Sequence, residues 1–115
     1  MDDTSTTITE LKQQVDDFIR ERDWHQFHTL KNISMGITIE AAELMELFLY
    51  QNDMAPEKQQ AAAHELIDIL WWTLSFANKA NIDIAAAFEE KIKLNAAKYP
   101  IEKAKGKATK YTELK

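Results

Sequence analysis

Four carboxylates stand in two pairs at helical spacing. Glu40 and Glu43 lie in IEAAELMELFLY (39–50), and Glu65 and Asp68 in HELIDILWW (64–72). Residues three apart share one face of a helix, so each pair projects together. Both pairs are symmetric about residue 54. Folding two helices back on each other about that point sets Glu43 level with Glu65 and Glu40 level with Asp68. Four carboxylates then converge across one helix interface. No lysine or arginine lies between Asn32 and Tyr50, or between Glu65 and Asn78, to pair with them. Carboxylates taken from water unpaired are costly, so they either keep a proton or bind a cation. Carboxylate oxygens with water suit Mg²⁺ or Mn²⁺, and Mg²⁺ keeps waters and reaches substrate phosphates. Di-iron bundles use Glu-x-x-His on two helices. Here His64 is adjacent to Glu65 rather than three away, which favours magnesium over iron. Taken alone, Glu40 and Glu43 would read as an ordinary solvated stripe. The matched second pair and the charge-poor flanks favour a metal site. Glu46 faces Ala62 across the same hairpin and is read as an outlying or solvent-facing group.

Aromatic and basic residues surround this constellation. Tyr50 follows Glu43 by two turns, and Trp72 follows Asp68 by one. With Trp24 they offer flat surfaces for a nucleobase, a contact of about 1–3 kcal/mol per base. Packing in a core is the more ordinary use of aromatics at helical spacing, and Trp71 is read that way. Tyr50 and Trp72 fall on opposite sides of the carboxylates along the hairpin, so clamping one base between them would need a second subunit. His25 and His28 lie in the segment RDWHQFHTLKN (22–32), and His25 is read as structural. Lys31, Lys98, Lys103, Lys105 and Lys110 are candidates to face phosphates. From Lys98 to Lys115 six lysines oppose two glutamates, a local charge of +4 that reads equally well as a solvated tail. The only glycines are Gly36 and Gly106, with no GxxxxGK[ST] and no GxGxxG. A glycine-rich backbone cradle for phosphates is therefore not expected.

Helices must position these groups. Thr7 or Thr9 caps a first helix reaching about Arg22, with Ile8, Leu11, Val15, Phe18 and Ile19 forming one apolar stripe. Residues 22–32 read as an ordered loop. A second helix runs from about Ile33 to Tyr50, and the turn QNDMAPE follows. Pro56 opens a third helix, which reaches Ala80 and stops at Asn81. Asp83 caps a fourth, Ile84 to about Lys98, and Tyr99-Pro100 ends it. The expected fold is all-α: a four-helix bundle subunit with an antiparallel central hairpin, in a single domain (1–115) whose tail, from about 99, is lysine-rich. The second and third helices are apolar on nearly all sides. One domain of this size cannot easily cover both, so an obligate homo-oligomer is expected.

Composition excludes other classes. The chain is 45% hydrophobic and 29% charged, enough apolar mass for a core with a soluble surface. It has no cysteine, hence neither disulfides nor a thiolate metal site, as suits a reducing cytoplasm. MDDTSTT is no secretory leader, and no apolar run approaches the roughly 18 residues of a membrane span. A net charge of −5 argues against nucleic acid as the main partner.

The pattern Glu40-x-x-Glu43, then Glu65-x-x-Asp68, resembles the MazG-type all-alpha nucleoside triphosphate pyrophosphohydrolases. ERDWHQFH (21–28), EAAELMELF (40–48), HELIDILWW (64–72) and NAAKYPIEKAKGKATKYTEL (95–114) are similar to the dCTP pyrophosphatase branch. The resemblance implies Mg²⁺-dependent hydrolysis of a (deoxy)nucleoside triphosphate, dCTP-like, to monophosphate and pyrophosphate, clearing surplus or non-standard nucleotides. It implies dimers or tetramers of helical subunits. It assigns Glu40, Glu43, Glu65 and Asp68 as metal ligands. Trp24, His28, Tyr50 and Trp72 fall near base or sugar, and Asn95, Lys98 and Tyr99 near the phosphates. The branch carries tryptophan where Tyr50 stands, tyrosine where Trp72 stands, and histidine where Val15 stands, so base preference is left open. Alternatives are a related enzyme acting on dUTP or phosphoribosyl-ATP, and a non-catalytic helical interaction module.

Overall fold

The computed structural model describes residues 1–115, all of its regular structure is helical, and no helix is long and apolar enough to cross a membrane. Its chain forms two units, Met1–Ile82 and Asp83–Lys115.

The first unit holds three helices: α1 (Ile8–Glu21), α2 (Leu30–Glu46) and α3 (Gln59–Ala80). Helix α1 begins in a capping box. The Thr7 hydroxyl accepts from Glu10 N–H, and the Glu10 carboxylate accepts from Thr7 N–H. Two orphan donors of the first turn are thereby satisfied. Helix α2 starts three residues earlier than the sequence predicts. Thr29, inside the segment read as a loop, is its N-cap and accepts from Asn32 N–H at 3.1 Å. What remains of that loop is one 3₁₀ turn, His25–Phe27. Helix α2 also ends earlier, at Glu46 rather than Tyr50. The i→i+3 bonds from Leu47, Phe48 and Leu49 N–H tighten the chain, and Tyr50 enters the left-handed region at φ 65°. Apolar spacing continues through LFLY, but the backbone no longer does. Pro56 opens a 3₁₀ turn (Pro56–Lys58) that leads into α3. Asn81, in αL, closes α3, and its N–H donates to Ala77 C=O.

Contacts between α2 and α3 climb one helix as they descend the other. The Lys58 ammonium donates to Leu47 C=O, Glu65 meets Glu40 and Glu43, and the Trp72 indole lies on Gly36. Helix α1 packs on α3 with Phe18 edge-on to Trp71, ring centroids 5.1 Å apart. The Lys12 ammonium donates to Ile82 C=O, and the Asn78 amide donates to Lys12 C=O. Val15, Ile19, Ile33, Leu74 and Ala77 are the buried apolar core, at the end of the hairpin remote from its turn. Other apolar residues of α2 and α3 stay open: Met35, Ile39, Met45, Leu66 and Ile67 are each at least half exposed.

The second unit holds α4 (Ile84–Lys98), a short α5 (Ile101–Ala104) and a 3₁₀ turn at Tyr111–Glu113. Asp83 caps α4 by accepting from Ala86 N–H. The tail folds back within this unit. Tyr111 N–H donates to the Tyr99 hydroxyl at 3.3 Å, and the two rings meet edge to face at 6.0 Å.

Candidate active site

Helices α2 and α3 deliver their acids to one place. Glu40, Glu43 and Glu65 each offer an oxygen, and these oxygens all lie within 4.8 Å of one another. The fourth acid, Asp68, is exposed and outside that group. Its charge still reaches both Glu40 and Glu65. The symmetric register expected from sequence sets Glu40 opposite Asp68. In the structure Glu65 meets Glu43 and also Glu40, while Asp68 acts on Glu40 and Glu65 through its charge. Glu46 is exposed and apart from the group.

The electrostatics follow from the apolar surroundings. Burial pushes the Glu40 carboxyl up to about 7, helped by a hydrogen bond to Glu43 and by the charges of Glu43, Asp68 and Glu65. Glu65 is also raised, by burial first and then by Glu43. Oε2 of Glu40 and Oε2 of Glu65 are buried without a hydrogen-bond donor. An acceptor-only cluster with two orphaned oxygens lacks positive charge, which a divalent cation or retained protons must supply. The donor set is all oxygen and fits a hard cation such as Mg²⁺ or Mn²⁺.

One turn along the hairpin lies an aromatic group. Gly36 precedes Glu40 by four residues and Trp72 follows Asp68 by four, a rise of about 6 Å on each helix. A Cβ at Gly36 would come within 2.6 Å of the Trp72 ring atoms Cδ2 and Cε2. The indole therefore sits directly on the α2 backbone, and that face of it is occupied by packing. His28 meets Trp72 edge-on at 5.3 Å, and Trp24 lies 6.4 Å from His28. Trp24 also packs on Phe18 and stays 43% exposed. Burial, then the charges of His25 and Lys79, hold the His28 imidazole below its ordinary range, so it is neutral at pH 7. Its Nδ1 is buried without a partner. His25 is satisfied as expected, with Nε2 3.0 Å from Asp16 Oδ1. Trp71 packs, as read from sequence, and its partner is Phe18 of α1.

Tyr50 is fully exposed at the far end of the hairpin, beyond Leu47, so within one chain it does not face Trp72. Asn95, Lys98 and Tyr99 are exposed residues of the second unit, at the end of α4. Gly36 is the residue that sequence reasoning passed over. Gly36 and Trp72 are symmetric about residue 54, the same centre that pairs the acids, and a lone glycine in an apolar helix marks a close approach.

Comparison with known proteins places these features in context. A family model described as MazG-like matches residues 35–114. The chain is 31% identical to dCTP pyrophosphatase 1 of Rattus norvegicus and to that of Homo sapiens. Each alignment covers 94% of this chain and 68% of the relative. Among solved structures, a pyrophosphatase from Archaeoglobus fulgidus superposes with a TM-score of 0.73 at 30% identity, covering 81% of this chain and 92% of the other.

Proposed function

This chain belongs to the MazG-like family, and from that premise we propose that it hydrolyses a deoxynucleoside triphosphate, dCTP-like, to the monophosphate and pyrophosphate. The observation that carries the proposal is the convergence of Glu40, Glu43 and Glu65 oxygens within 4.8 Å from two helices. Glu40, Glu43 and Glu65 hold Mg²⁺, and Asp68 joins them. When bound, Mg²⁺ neutralises charge on the phosphates and lowers the pKa of coordinated water. Glu43, the exposed member of the trio, orients a water toward the α-phosphorus and takes its proton. A bond forms between that water oxygen and the α-phosphorus, the α–β bridging bond breaks, and pyrophosphate leaves. Trp24, His28 and Trp72 form the base or sugar side, with neutral His28 able to donate or accept one hydrogen bond. Asn95, Lys98 and Tyr99 take the phosphates.

The half-exposed apolar residues of α2 and α3 support assembly. The subunit is a four-helix bundle around an antiparallel hairpin, in a homo-oligomer, dimer or tetramer. Assembly is also the route by which Tyr50 of one subunit would approach a site on another.

The test is a panel of dCTP, dUTP, other nucleoside triphosphates and phosphoribosyl-ATP with Mg²⁺, scoring monophosphate and pyrophosphate. Glu40→Gln and Asp68→Asn should each abolish turnover while the far-UV circular dichroism stays helical. Normal turnover in either variant would remove the proposed site. No product from any member of the panel would favour a non-catalytic interaction module.

A further inference from the structure

The C-terminal tail, KYP (98–100) to KYTEL (110–114), makes three contacts with the end of α4. Tyr111 N–H donates to the Tyr99 hydroxyl oxygen at 3.3 Å. The Tyr111 ring meets the Tyr99 ring edge to face at 6.0 Å. The Lys98 ammonium lies 4.9 Å from the centroid of the Tyr111 ring. We infer that Tyr111 is a positioning residue: its ring and backbone fix Lys98 and Tyr99 in the orientation that binds the substrate's phosphates. The inference rests on the proposed function for its substrate, and on the contacts for its geometry.

The chemistry of each contact leaves the phosphate-binding atoms free. A ring attracts an ammonium through its face and uses none of the three N–H groups in a directed bond. None of the chain's ion pairs involves Lys98. The Tyr99 hydroxyl accepts from a backbone N–H, so its own hydrogen is left to donate. A hydroxyl that accepts one hydrogen bond is polarised into a better donor for the next. Donors of both kinds, one charged and one neutral, are what a phosphate requires. Lysine is a flexible side chain with about 2 kcal/mol of rotamer entropy to lose. A ring that already holds its head group reduces the part of that cost met on binding. Both tyrosines stay about two-fifths exposed, so a ligand can reach them. The tail thus pre-organises the end of α4, and Tyr111 acts through its neighbours.

The experiment uses the full chain with Mg²⁺. It measures KM and kcat for dCTP, and calorimetric binding of magnesium pyrophosphate, a ligand that needs no turnover. A contact of this type at an exposed site corresponds to about a two- to fivefold change. Tyr111→Ala should therefore raise KM and the pyrophosphate Kd in parallel by about that factor, with kcat nearly unchanged. Tyr111→Phe keeps the ring and should restore wild-type values. In Lys98→Ala, adding Tyr111→Ala should cost less than it does alone, because part of its effect runs through Lys98. Unchanged pyrophosphate binding in Tyr111→Ala, or a loss in Tyr111→Phe equal to that in Tyr111→Ala, overturns the inference. So does a fall in kcat at constant KM and Kd. The two readings fail separately. A wild-type chain whose affinity for magnesium pyrophosphate depends on Tyr111, yet which hydrolyses no triphosphate, refutes the proposed function and leaves the positioning role standing. A chain that turns over dCTP with pyrophosphate affinity indifferent to Tyr111 does the reverse.

Discussion

Gly36→Ala sets two effects of opposite sign against each other. Glycine inside a helix is worse than alanine by roughly 0.5–1 kcal/mol, so propensity alone predicts a more stable protein. The site decides otherwise. A Cβ at residue 36 would stand 2.6 Å from Cδ2 and Cε2 of Trp72 and 2.9 Å from its Nε1. Carbon atoms rest at about 3.5–4.0 Å, so the indole must retreat by about 1 Å. It is a rigid ring with His28 edge-on at 5.3 Å, so it cannot swing aside as the end of a flexible chain would. Overpacking of this kind costs about 1–3 kcal/mol. Set against the propensity gain, the net loss is about 1 kcal/mol, which for a unit of this size lowers Tm by about 4–8 °C. Thermal unfolding at fixed protein concentration, followed by tryptophan fluorescence, reads it directly. Trp72→Leu should remove the clash, so Gly36→Ala made in that background should be neutral or stabilising. A Gly36→Ala protein as stable as wild type, or more so, would refute the packing of Trp72 on α2.

Two further outcomes follow from the acids and the bare helices. In metal-free protein the folded Glu40 carboxyl sits at about 7, above its ordinary 4.5. Between those values the native state holds a proton that the unfolded chain releases. Raising the pH through 4.5 to 7 therefore removes stability, and below 4.5 the effect is absent. Added Mg²⁺ should raise Tm more at pH 8 than at pH 5, where the ligands hold protons. An equal Mg²⁺ effect at both values would contradict the cluster. The second outcome concerns assembly. Ile39, 54% exposed in the single chain, should lie at a subunit interface. Ile39→Lys should shift the sedimentation of the purified protein from oligomer to monomer, and a monomeric wild type would exclude the interface.

Legibility in the sequence tracked how local each determinant is. Thr7 and Asp83 start helices through their side chains and Asn81 ends one through its backbone, and each is legible locally, Thr7 as one of two candidates with Thr9. Thr29 also starts a helix, but it stands in RDWHQFHTLKN, where aromatics obscure the boundary. Residues 47–50 keep helical apolar spacing while the backbone tightens and turns, and no side-chain pattern encodes that change. The acid pairs were visible because their flanks carry no other charge. Symmetry about the turn sets Glu43 level with Glu65, and the oxygens of those two and of Glu40 converge. Side-chain volume supports the same register. Trp72 needs the notch at Gly36, and that contact fixes how α2 and α3 slide past one another.

The same apolar helices that make the acids conspicuous also give them their chemistry. On a solvated helix face, water would screen three glutamates and leave each near its ordinary pKa. Here burial is the first cause of the upward displacement at both Glu40 and Glu65, ahead of the mutual repulsion. Repulsion alone could be relieved by rotating a side chain outward. Burial adds to it, because Oε2 of each is enclosed and without a donor. The protein therefore holds its acids where their charged forms are least stable without a counter-ion. A bound cation relieves the burial cost and the repulsion together, so affinity for a divalent ion and instability without it are two consequences of one placement. Glu40→Gln separates them. It removes a charge the metal-free fold tolerates poorly, so Tm without metal at pH 8 should rise. It also removes a ligand, so the rise in Tm on adding Mg²⁺ should shrink or vanish. A variant that lost stability without metal and still responded fully to Mg²⁺ would show that Glu40 is an ordinary packed side chain.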